Sequence, residues 1–296
     1  MSLNTLQNAR VWFPLAAALA WATACGAPAV VVGPEPAADA QVTGPVRVAV
    51  IGGMSTTGFF QAAATRFTHD TGIAVDIVAT GPKDVLAAAV RAGQVDLVTL
   101  HSCDTFANLA ADGYVLDLQP WLRNDLLLVG PPDDPAQVRG SDAVEAMRRI
   151  VRARAPFVLH PSLGVNEVLR DLTHEGGVDL DPEATTVVLK ERFRPVLQLA
   201  EEKHAYVVVG RVPFRNGKQP HTTLVPLVER DPRLRRPYLV AVVNPQRVPT
   251  ARLAAARVLQ AWLRSTATQA WVAEYGRGQI DDQPLFLPVA AEAMLP

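Results

Sequence analysis

This sequence predicts an α/β chain of two lobes, built on mainly parallel sheets with a cleft between them. Three observations carry that expectation. Short apolar runs alternate with helix-period segments along most of the chain, the pattern of strands joined by crossover helices. An apolar run at 126–129 is cut off by Gly-Pro-Pro-Asp-Asp-Pro, and a second run at 238–243 brings the chain back, which leaves the first lobe discontinuous. The 296 residues suffice for two cores.

The elements follow in order. Residues 46–51 (VRVAVI) form a continuous apolar strand that stops at Gly52-Gly53, with Ser55, Thr56 and Thr57 just beyond. Phe60, Ala63, Ala64 and Phe67 mark one face of a helix, and 73–78 read as a second strand. A helix at 83–92 leads to a strand at 95–100 that ends in His101-Ser102-Cys103-Asp104. After the crossing run, Ser141 is the expected cap of a helix carrying Val144, Met147 and Val151. Residues 157–159 give a strand, Val165 to Leu172 a helix, 186–189 a strand, 196–203 a helix and 205–209 a buried strand. Residues 238–243 are the return strand. Thr250 is the expected cap of a helix with Leu253, Val258 and Trp262, and a last helix at 267–275 ends at Gly276.

Net charge is −1, so nothing points to nucleic acid, and the two cysteines, Cys25 and Cys103, make no disulfide framework. Arg10 precedes an apolar run too short to span a bilayer comfortably, which ends in small residues directly before Cys25. That pattern predicts a lipoprotein signal peptide at 1–24, lipidation of Cys25, and a flexible tether over 25–44, a stretch rich in Ala, Pro, Gly and Val.

Residues 123–135, Arg-Asn-Asp-Leu-Leu-Leu-Val-Gly-Pro-Pro-Asp-Asp-Pro, resemble a segment of the tungstate-binding proteins of ABC importers. Ordered matches run from 46 to 288. They include 67–72 (FTHDTG), 96–102 (DLVTLHS), 112–114 (DGY), 142–146 (DAVEA), 200–206 (AEEKHAY), 229–234 (ERDPRL), 243–245 (VNP) and 283–286 (QPLF). The resemblance implies a two-lobed periplasmic-binding-protein fold of type II, with lobes at 45–125 plus 238–296 and at 126–237. It implies a monomer without enzymatic activity or cofactor, a small oxyanion as ligand and an ABC permease as partner. Runs 126–129 and 238–243 are expected to lie side by side between the lobes.

The pocket motifs depart from that family. Its Thr-Thr-Thr-Ser run is here Val50-Ile51-Gly52-Gly53, and its second-lobe loop is here Leu159-His160-Pro161-Ser162-Leu163-Gly164. His160 stands at the place of the anion-pairing arginine and Gly164 at that of a threonine. The segment 209–214 (VGRVPF) keeps only the arginine of Thr-Asp-Arg-Gly-Thr-Tyr.

An oxyanion offers only acceptors, so a buried site needs donors. Helix starts at Gly53–Thr57 and at Ser162–Gly164 would supply amides. The expected ligand contacts are Gly53, Ser55, Thr56, His101, Ser102, His160, Ser162 and Arg211. Arg211 would supply charge, and a protonated His160 would make binding weaken as pH rises. The alternative is a sensor or interaction module that has lost the tungstate pocket. An enzyme would have to rest on His101 with Cys103, and these two lack the further ligands that a metal site needs. His69, His174, His204 and His221 are scattered and expected at the surface. The arginines at 230, 233, 235 and 236 suggest a solvated loop, and Trp262 and Trp271 core packing.

Overall fold

The structure, a computed structural model, describes residues 44–188, 195–216 and 222–289. The signal and tether segments up to residue 43, the lipidation site at Cys25, Leu189 and His221 lie outside the described residues.

Strands β1 (Val46–Ile51), β2 (Val75–Gly81) and β3 (Leu97–His101) pair in parallel, β1 lying between the other two. Helices α1 (Gly52–Thr56), α2 (Phe59–Thr71) and α3 (Lys83–Arg91) make the crossovers. In the second half, β5 (Phe157–Leu159) pairs in parallel with β6 (Thr185–Val187) and β7 (Tyr206–Gly210). Its helices are α5 (Ala143–Arg152), α6 (Leu163–Gly176) and α7 (Val196–Glu202).

Two long strands join the halves. β4 runs Val115–Gly130 and β9 runs Arg235–Val243. They pair antiparallel from Val115 opposite Val243 to Asp125 opposite Arg235. Beyond Asp125, β4 leaves β9 and pairs with β7 and with β8 (Val225–Val228). The expected neighbours at 126–129 and 238–243 are therefore not partners. The paired stretch lies earlier on β4, and the two strands part at Asp125 and Arg235.

Side-chain alternation puts apolar residues on both sheet faces, as expected where helices cover each side. On β9, Tyr238, Val240 and Val242 pack with Phe59, Phe60 and Trp121, whereas Ala241 and Val243 pack with Leu86, Leu100 and Phe106. On β4, Leu126 and Leu128 join Met147 and Phe157, whereas Leu127 and Val129 join Leu197 and Val207. The chain closes with α9 (Leu253–Arg264), α10 (Thr266–Glu274) and β10 (Leu287–Pro288), the last paired with β4. Trp271 stacks on Phe59 at 5.4 Å, within the core.

Two helix caps differ from expectation. Asp142, not Ser141, caps α5 by accepting the Glu145 N–H at 2.9 Å. Thr250 donates to the Gly93 carbonyl instead of capping α9, which starts after Arg252.

Candidate functional site

Strand ends and helix starts from both halves enclose a cavity of about 250 Å³. Gly53, Thr56 and Thr57 reach it from α1, His101 from the end of β3, and His160 and Ser162 from the turn into α6. Asn124 and Leu126 come from β4, Arg236 and Tyr238 from β9, and Asn216 from the end of α8 (Arg211–Arg215). Val165, Gly210, Val212, Pro213 and Phe286 complete the wall, and no carboxylate lines it among the described residues.

Five of the expected contacts, Gly53, Thr56, His101, His160 and Ser162, thus come together. Ser55 and Ser102 do not line the cavity. Arg211 is a correction. Its guanidinium points into the body of the protein, donates to Asp281 at 2.7 Å and to the carbonyls of Pro284 and Leu285, and is 1 % exposed. A charge so engaged is not available to a ligand in the cleft.

The cation that does face the cavity is Arg236, which is only 7 % exposed. Of the four clustered arginines, only Arg236 lines the cavity. Arg230 and Arg233 pair with Asp282 and Glu175 outside, whereas Arg235 lies 3.3 Å from the buried Asp125 and Arg236 turns into the cleft. The one hydrogen bond of Arg236 among the described residues goes from Nη2 to the Ser102 carbonyl at 3.3 Å. Strand alternation could have revealed it, because Arg236 is in phase with the buried Tyr238, Val240 and Val242.

Electrostatics keep the other donors neutral. The His101 ring lies tilted against Tyr238, with centroids 4.2 Å apart. Burial, helped by the nearby Arg236, pulls its pKa down to about 3. His160 Nδ1 accepts the Ser162 N–H at 3.0 Å, which leaves Nε2–H as its donor, and burial lowers its pKa. The protonated His160 expected from the sequence is thus disfavoured. Burial raises the pKa of Tyr238, so its hydroxyl keeps its proton. Asn124 Oδ1 is buried without a partner among the described residues, and Asn124 sits opposite Arg236 in the β4–β9 register.

Behind Arg236 lies a second cavity of about 440 Å³. It opens at the starts of α3, α4 (Asp104–Ala111) and α6, and Lys83, Asp84, Cys103 and Gly164 line it. His101, Ser162 and Arg236 belong to both walls. Among the described residues no group of three or more His, Cys, Asp or Glu is placed to hold a metal.

A two-lobed α/β frame with a donor-lined cleft between its halves is the frame of a solute-binding protein. Residues 46–277 match the bacterial extracellular solute-binding protein family, and the chain belongs to it. Its members bind solutes for transport and are not enzymes. The chain is 28 % identical over 257 residues to the tungstate-binding protein TupA of Peptoclostridium acidaminophilum, covering 85 % of this chain and 88 % of that one. The fold is that of the solved tungstate-binding protein TupA of Desulfovibrio alaskensis, with a TM-score of 0.71, 24 % identity, and coverage of 83 % and 99 % of the two chains. The tungstate ABC transporter structure from Geobacter sulfurreducens gives a TM-score of 0.64 at 24 % identity, with 78 % and 98 % covered.

Proposed function

We propose that this chain is a lipid-anchored, monomeric binding protein that captures a small oxyanion of the tungstate or molybdate type and delivers it to an ABC permease. The observation that carries this reading is the composition of the cleft. His160 Nε2–H, the Tyr238 hydroxyl, Ser162, Thr56 and the Gly53 backbone surround it, one cation faces it, and no carboxylate lines it among the described residues. Such a cavity suits a ligand that only accepts hydrogen bonds. The relatives named for tungstate binding support the choice of oxyanion. The lobes, 45–125 plus 238–296 and 126–237, would close on the ligand by bending where β4 and β9 part. Cys25 would carry the lipid. The alternative, a sensor or interaction module that has lost its pocket, rests on the joint changes at 50–53, His160 and Gly164, and Arg236 in the cleft weighs against it.

Calorimetric titration with tungstate, molybdate and sulfate tests the ligand. Saturable binding of at least one, with stabilisation of about 2.7 kcal/mol at a hundredfold excess over Kd, is expected. No binding of any of the three would overturn the oxyanion assignment. Cys25→Ala should release the protein from membranes, and unchanged membrane partition would sink the anchor.

A further inference from the structure

We propose that Arg236 is the counter-charge of the bound anion, and that Gly164 is the positioning residue that admits its guanidinium to the cleft. This rests on the reading of the cleft as an anion site, and it assigns the charge to a residue from the return strand, outside the second-lobe loop.

The fit between the two residues is close. A Cβ placed on Gly164 would stand 1.9 Å from Nη2 of Arg236, 2.3 Å from Cζ and 2.6 Å from Nη1. These separations are far below contact distance, so any side chain at 164 would displace the guanidinium. The φ angle of Gly164 is not in the left-handed region, so the backbone itself does not call for glycine there. The space taken by Arg236 does.

The setting of the guanidinium is electrostatically unfavourable without a ligand. It lies 7 % exposed and forms no ion pair among the described residues. Glu167, further along α6, and Asp84, on the wall of the second cavity, are the acids in the vicinity, and Lys83 adds a like charge to that wall. Gly164 is the second residue of the 14-residue α6, so the cation rests on the positive end of a helix dipole. A nearly buried cation against a helix N-terminus is destabilising unless an anion joins them. Asn124, its cross-strand neighbour, Tyr238, two residues further along β9, and His160 line the same cavity. The bound anion therefore lies between the guanidinium and these donors. Its class is a compact oxyanion able to take hydrogen bonds from several sides at once.

A double-mutant cycle on the full chain tests this. The variants are Arg236→Gln, Gly164→Ala and the pair, with tungstate affinity and the melting temperature of the ligand-free protein as readouts. Arg236→Gln should weaken tungstate binding tenfold or more, yet raise the ligand-free melting temperature because a strained cation is removed. Gly164→Ala should weaken binding to a similar degree, and the pair should bind no worse than Arg236→Gln alone. A fall in the ligand-free melting temperature of Arg236→Gln, or additive losses of affinity in the pair, would overturn the assignment. If the parent protein takes up no tungstate while Arg236→Gln still melts higher, the tungstate reading fails and the role of Arg236 as an unpaired ligand charge stands.

Discussion

His101 and His160 are held neutral by shielding from water, and that sets two pH responses. His101 has a folded pKa of about 3 against an ordinary value near 6.5, and burial also lowers that of His160. Their stabilising contribution is whole above the unfolded value. It is lost as pH falls from about 6.5 toward the folded values, because the unfolded chain takes up protons first. Each neutral ring costs at most about 1.4 kcal/mol per pH unit in that window. Urea unfolding at pH 7 and pH 4.5 should show the loss, and His101→Gln should reduce it. Anion affinity should stay flat between pH 7 and pH 8.5, since a neutral Nε2–H and an arginine supply the donors. Titration calorimetry showing a tenfold fall across that range would restore the protonated His160. At this scale five of the expected contacts line one cavity, because glycine, hydroxyl and histidine at strand exits announce themselves locally. Arg211, expected in the cleft, turns into the body of the protein because Asp281, 70 residues on, engages its charge, whereas Arg236, expected in a solvated loop, shares the buried phase of Tyr238, Val240 and Val242 along β9, a signal the sequence does carry.

Elements are locked to one another by single buried carboxylates. Asp96, fully buried at the start of β3, accepts from the Arg47 backbone at 2.8 Å and from its guanidinium at 2.6 Å. It also accepts the Arg252 N–H at 2.9 Å, just before α9. One side chain thus joins β1, β3 and α9. Asp96→Ala takes the counter-charge from a partly buried guanidinium that keeps only the Gly93 and Thr250 carbonyls, leaves two amides unmet, and should cost about 3–5 kcal/mol by chemical denaturation. Most helices and strands were legible from apolar period alone. β4 was not, since only its last four apolar residues read as a strand. Its first part carries Asp117 at φ 53° and two register shifts around Gln119 and Pro120, so no regular alternation survives there. Its partner β9 holds that part in the sheet, a contact no local pattern can announce.

Across the whole molecule, the β4–β9 ladder ties the halves, and Arg211 adds a buried tie that reaches from the start of α8 to Asp281, Pro284 and Leu285. Asp125 lies 4.0 Å from Arg211 and 3.3 Å from Arg235, at ion-pair distance but without hydrogen-bond alignment. Burial raises its pKa against the pull of both arginines. Arg211→Ala leaves buried carbonyls unmet and weakens the hold on Asp281, which Arg215 still reaches at 3.2 Å. A loss of about 3–5 kcal/mol is expected, read from the urea midpoint. If that variant keeps its stability, the contact is incidental. This contact also bears on the order in which the chain matures. Residues 281–289 satisfy Arg211, pair with Arg123 and Leu122 through β10, and donate to Gln269 through the Val289 amide. They follow in the sequence every element that they complete, so the core stays unfinished until this segment docks. Removing 281–289 should therefore leave a chain that does not complete cooperative folding, read as loss of a single urea transition.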